Sequence, residues 1–174
     1  MRWQKPLKRS CKPGYAVKQG ARSQNALGNM LQRLSINNSK GGNTMATQAQ
    51  MERNKKNVAA FYDLIINKKD AETARKLYMG PRYKQHNPLV KDYPDGLVEF
   101  INWLKDNHPQ ASSEIVRIFA DGDFVICHVH SQRPPNVHRA IVEIFRCNED
   151  GKIDEHWDVI QEVPTESANP NGMF

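Results

Sequence analysis

The chain has 174 residues, 39% of them hydrophobic, and a net charge of +6, enough for one ordinary core but not for two. The charge is uneven: residues 1–44 hold nine Lys or Arg and no acid, whereas residues 45–174 hold sixteen basic and nineteen acidic residues. A mildly acidic body excludes a general nucleic-acid-binding surface. The absence of any run of roughly 18 apolar residues excludes a helical membrane span.

The first stretch, Met1–Thr44, is rich in Lys, Arg, Ser, Asn, Gln and Gly and has few large apolar side chains. Residues 1–50 therefore read as a disordered basic extension and residues 51–174 as the folded domain. Ala26, Leu27, Met30, Leu31 and Leu34 lie at helical spacing near Arg33 without an acid nearby, the pattern of an organelle transit peptide. Three readings stay open for this segment: a mitochondrial transit peptide, an unstructured tail of a cytoplasmic protein, or an extended start with Met45 as the initiator. No secretory h-region is present. Cys11, Cys127 and Cys147 are odd in number and form no CxxC pair, so neither a disulfide framework nor a cysteine zinc site is supported. A soluble protein in a reducing compartment is expected.

From Asn54 the pattern becomes periodic. Val58, Phe61, Tyr62 and Ile65 mark one face of a first helix over about 51–68. Asp70 can cap a second carrying Ala71, Ala74, Leu77 and Tyr78, stopped by Gly80-Pro81. A third starts after Pro94-Asp95-Gly96, turns Leu97, Phe100, Ile101 and Leu104 inward, and ends near His108-Pro109. Three helices thus precede any convincing strand. After Gln110 the period shifts to two, giving strands at about 112–120, 123–132, 137–147 and 152–163. Their connections are too short for parallel crossovers, so these strands are antiparallel and the fold class is α+β.

Strand alternation decides what reaches the interior. Phe124, Ile126, His128 and His130 share one face of their strand, opposite Val125, Cys127 and Val129. Arg139, Ile141, Glu143 and Phe145 lie together on the next, and His156, Asp158 and Ile160 on the last. Polar residues two apart on faces that also carry large apolar groups suit a partly polar pocket in an apolar shell. The bland alternatives are a solvated outer face and a buried hydrogen-bonded pair that only ties strands together. His128 and His130 with His138 or His156 offer three imidazoles for a metal, but no metal is expected. No Gly-x-Ser-x-Gly elbow or activated cysteine supports nucleophilic catalysis.

The ordered set Tyr83-Lys84-Gln85-His86-Asn87-Pro88, Asp95-Gly96, Phe124 through His130, Val142-Glu143-Ile144-Phe145-Arg146, Glu149-Asp150-Gly151-Lys152-Ile153 and Glu155-His156-Trp157-Asp158 resembles SnoaL-like proteins. These form part of the nuclear-transport-factor-two-like superfamily, and the set resembles the subgroup predicted to catalyse aldol condensation. The resemblance covers nearly all of residues 54–174. It implies a cone-shaped roll, three helices packed into a strongly curved, mainly antiparallel sheet, dimeric through the sheet's outer surface. It also implies a small-molecule lyase, isomerase or aldol-type polyketide cyclase working on a carbonyl compound without a cofactor.

Carried onto this chain, the resemblance suggests Asp158 as base, His128 or His156 as electrophilic donor, and Tyr83, His86, Asn87, Phe124, His130 and Glu143 as substrate-binding residues. Glu143 stands where many relatives carry Asp. A homodimer acting on a small molecule, with no nucleic-acid or membrane partner, follows. The rival is a non-catalytic ligand-binding or dimerisation module of the same fold, which would lack an acid–base pair within hydrogen-bond reach and a perturbed carboxylate.

Overall fold

The computed structural model describes residues 46–174, so the three readings of residues 1–44 lie outside the described residues. Helix α1 (Gln48–Tyr62) starts slightly before the expected boundary, because Thr47 and Gln50 form a reciprocal capping box. It runs on into a π-helical turn, Asp63–Asn67. Helix α2 (Ala71–Tyr78) is capped by Asp70, whose carboxylate accepts from the Thr73 amide at 3.1 Å. The next element departs from expectation. Met79–Gln85 is a strand, β1, lying between the second and third helices rather than after them. Helix α3 (Tyr93–Asn107) begins at Tyr93 with Pro94 in its first turn, ahead of the expected start after Gly96.

Strands β2 (Ser112–Asp121), β3 (Phe124–Arg133), β4 (Val137–Cys147) and β5 (Ile153–Glu162) follow close to the expected boundaries. The sheet order is β1-β5-β4-β3-β2, with β2 through β5 antiparallel and β1 parallel to β5. The fold is α+β, three helices against a five-stranded mixed, curved and unclosed sheet. Gly122 (φ +60°) and Gly151 (φ +76°) supply the left-handed residues that the β2–β3 and β4–β5 turns require.

The core lies between the helices and the concave face of the sheet. Val58, Phe61, Ile101 and Leu104 from the helices meet Val125, Val129, Phe145 and Ile153 from the strands, all at most 2% exposed. Burying each such side chain contributes about 1.5–3 kcal/mol before entropy is counted. Phe61 and Phe145 meet edge to face at 6.0 Å. Among the described residues no helix is long and apolar enough to cross a membrane.

Candidate active site

The alternation of β3 runs opposite to the expectation that placed its histidines inside. Val125, Cys127 and Val129 are fully buried in the core, so Phe124, Ile126, His128 and His130 occupy the convex face. There His128 Nδ1 lies 2.9 Å from Arg117 Nη1, and His130 Nε2 lies 2.9 Å from His138 Nδ1. Phe174 packs against both His128 and His130. The expectation that His128 and His130 join His156 and Asp158 is therefore corrected, and with it the convergence of these imidazoles on one metal. His86 also lies outside the cavity: its ring stacks on Trp157 at 4.6 Å and its Nε2 contacts Glu155 Oε1 at 2.8 Å. Phe124 packs against that same Trp157.

On the concave face the picture is different. Register pairs Glu143 with Asp158 and Phe145 with His156, so adjacent positions of β4 and β5 aim an acid pair and an imidazole at the helices. A cavity with about 680 Å³ of space free of protein atoms, its open mouth included, is lined there by Tyr83, Asn87, Glu143, His156 and Asp158 from the expected set. Tyr62 and Gln85 line it as well.

Two hydrogen-bonded arms hold the polar groups. In the first, Tyr62 donates its hydroxyl to Glu143 Oε1 at 2.9 Å, and Glu143 Oε2 lies 2.6 Å from His156 Nε2. His156 Nδ1 lies 2.8 Å from Gln85 Oε1, which also accepts from the Asn87 amide at 2.9 Å. That second donor identifies the Gln85 atom as the oxygen, so Nδ1 of His156 carries a hydrogen. Glu143 and His156 then share one further proton across Nε2 and Oε2. Gln85 Nε2 donates to the Tyr83 hydroxyl at 2.9 Å, which occupies that oxygen as an acceptor and leaves its O–H to donate. Phe145 stacks on the His156 ring at 4.8 Å and sets its plane.

In the second arm, Asn87 Nδ2 donates to Asp158 Oδ2 at 2.5 Å, and Asn87 Oδ1 accepts from the Leu89 amide at 2.8 Å, fixing the amide's orientation. No other side chain among the described residues hydrogen-bonds Asp158, which lines the cavity.

Burial pushes the Asp158 carboxyl above its usual 3.8, reinforced by Glu143 and opposed by Asn87 and His156. Burial and the Glu143 carboxylate also push the Tyr62 and Tyr83 hydroxyls up, keeping both protonated donors. The thiols of Cys127 and Cys147 are each pushed up by burial to about 12, which leaves no thiolate nucleophile at neutral pH among the described residues. Glu143, His156 and Asp158 place ligand atoms within 4.8 Å of one another, close enough for one ion. Both Glu143 oxygens and both His156 nitrogens are already engaged with protein partners, however, so an ion would have to break the Glu143–His156 contact.

Tyr62 and Gln85 escape the sequence reading for different reasons. Tyr62 lies on the apolar face of α1 and reads as core, although a buried tyrosine hydroxyl needs a partner. Gln85 ends the unrecognised strand β1, and Tyr83, Gln85 and, just past the strand, Asn87 follow one another at period two and line the same cavity. That spacing was the available signal.

Residues 58–156 match the SnoaL-like domain family. No curated protein matches the chain. Several solved structures are similar in fold. TsrD from Streptomyces laurentii is 17% identical, covering 66% of this chain and 90% of its own, with a TM-score of 0.53. A candidate polyketide cyclase from Bacillus cereus is 16% identical, covering 66% and 78%, with a TM-score of 0.57. A candidate ketosteroid isomerase from Kribbella flavida is 14% identical, covering 71% and 86%, with a TM-score of 0.55.

Proposed function

This chain belongs to the SnoaL-like domain family, and from that premise we propose that it is a small-molecule lyase, isomerase or aldol-type cyclase that removes a proton α to a carbonyl using its own side chains. The single observation that carries the reading is Asp158: a half-buried carboxylate that lines the cavity, raised above its usual pKa, with one side-chain hydrogen bond, from Asn87. A general base works best when its pKa lies nearer the working pH, and desolvation moves Asp158 in that direction.

Chemistry assigns the remaining roles. Asp158 Oδ1 takes the proton, and the negative charge that develops on the carbonyl oxygen is met by the Tyr83 O–H. His156 has both nitrogens engaged, so it acts with Glu143 as a proton-sharing pair that holds Gln85, and through it Tyr83, in place. Of the two expected donors, His128 lies on the convex face and His156 is a positioning residue and not the donor. Names borne by the similar structures, polyketide cyclase and ketosteroid isomerase, both denote chemistry at a carbon next to a carbonyl and support this reading. A binding-only module has no need for a desolvated carboxylate beside a donor. The convex face, with Phe119, Val142 and Val159 exposed, is the surface for a homodimer, which sedimentation of the purified chain checks.

The test is α-proton exchange of a small 1,3-diketone, acetylacetone, in D2O followed by proton NMR. Wild type should exchange faster than buffer and Asp158→Asn should not. Equal rates for wild type and Asp158→Asn, or for wild type and buffer, would overturn the assignment.

A further inference from the structure

The concave face changes character along the strands. Glu143 faces Asp158; two residues further, Ile141 faces Ile160; two further again, Arg139 faces Glu162 on one side and Ser131 on the other. Arg133 follows Ser131 at the end of β3. A spacing of two residues is roughly 7 Å along a strand, so an apolar row separates the acid row from a cationic row about 14 Å away.

Arg133 lines the cavity described above, and with Arg139 it lines a second, open hollow, with about 1020 Å³ of space free of protein atoms when the adjoining solvent is included, that shares Asn87, Val90, Phe100 and Ile160 with the first. The charges around this mouth do not cancel. Lys91 is paired with Glu99 at 2.6 Å. Arg139 Nη2 reaches Glu162 at 3.2 Å, but Glu162 is 71% exposed and the buried Arg139 Nε has no acceptor among the described residues. Arg133 makes no ion pair among the described residues. Burial, and then the nearby Arg139 charge, pushes the Arg133 guanidinium below its usual pKa. Two half-buried guanidiniums that repel one another and lack their full set of acceptors cost stability unless an anion joins them, and a planar fork fits a carboxylate in two-point fashion.

We propose that Arg133 and Arg139 form the anion-binding end of this site, so that its substrate is an organic carboxylate with an apolar body lying over Ile141 and Ile160 and its reactive carbonyl directed toward Asp158. The position of the reactive carbonyl rests on the acid–base reading above; the anion subsite does not. The arrangement makes the arginines specificity-determining, since a neutral analogue leaves both guanidiniums without the partner that the carboxylate supplies.

The experiment is calorimetric titration of the full chain with octanoate and with its neutral isostere octanamide. Octanoate should bind at least about tenfold more tightly, with the difference shrinking as salt is raised. The double variant Arg133→Gln/Arg139→Gln should lose that preference while keeping octanamide affinity within about threefold. Arg133→Lys/Arg139→Lys retains the charges and should retain part of the preference, which keeps the test valid if the Gln variant fails to fold. Equal affinities in wild type, no saturable octanoate binding, or a preference undiminished by the Gln pair would each overturn the proposal. Asp158→Asn should still prefer octanoate, so failure of the α-proton exchange with the preference intact would remove the base assignment and leave the anion subsite standing.

Discussion

Both faces of the sheet carry imidazoles and carboxylates, yet they treat them in opposite ways. On the convex face Glu155 is pushed up by burial, but His86 and Arg146 more than reverse this and hold its carboxyl below the usual range. His128 and His130 there sit beside Arg117 and His138, with Phe174 against them. On the concave face Asp158 has a single side-chain donor, the Asn87 amide, and no ion pair among the described residues; burial dominates and the carboxyl rises. A carboxylate ringed by cations is stabilised as an ion and is of little use as a base. One left with a neutral donor in a dry cavity is poised to take a proton.

The widest separation between the faces should appear in turnover. Asp158→Asn should lower the rate on an established substrate by about a hundredfold to ten-thousandfold. The same substitution should leave the melting temperature unchanged or higher. Because the folded carboxyl pKa is raised, the folded state favours the protonated form; stability from this group is present below 3.8 and lost as pH rises through the folded value. At neutral pH the native aspartate therefore costs stability that asparagine does not. An equally large rate loss from His128→Ala would erase the distinction between the faces.

Next in size is Glu143→Leu. It leaves the Tyr62 hydroxyl and His156 Nε2 buried without their partner, and chemical denaturation should show a loss of about 3 kcal/mol. Tyr83→Phe removes the proposed donor while keeping the ring, and should lower kcat by about tenfold or more with little change in KM. The smallest effects belong to the convex histidines. His128→Ala and His130→Ala should each leave activity within about twofold and stability within about 0.5 kcal/mol in the monomer, since both are partly exposed.

Helices α1 and α3 and the four antiparallel strands were legible because each repeats its apolar residues over ten or more positions, and the eight-residue α2 because Asp70 caps it and Gly80-Pro81 follows it. Strand β1 was not. Its seven residues include Pro81 and follow no clean alternation, and it is recruited as an edge by parallel pairing with β5, a contact made some 70 residues away. The turn from α1 into its π-helical end likewise has no period of its own.

For the site, β4 and β5 were read in the correct parity, since Glu143 alternates with Ile141 and Phe145, and Asp158 with His156 and Ile160. Strand β3 was read in the wrong one. Its two parities are Phe124-Ile126-His128-His130 and Val125-Cys127-Val129, and the second, wholly apolar set is the one buried. Hydrophobicity decides parity on a strand that only closes the core, whereas on β5 the polar set turns inward because that strand lines the cavity. A single strand's alternation does not say which of these two situations it is in.

The most direct measurement is a carbon-13 NMR titration of the Asp158 side-chain carboxyl in the full chain. A titration midpoint above 3.8, moving higher still in Asn87→Ala, agrees with a desolvated base restrained by one neutral donor. A midpoint at or below 3.8 would mean that Asp158 is stabilised as an ion like Glu155, and the proposed acid–base role would not stand.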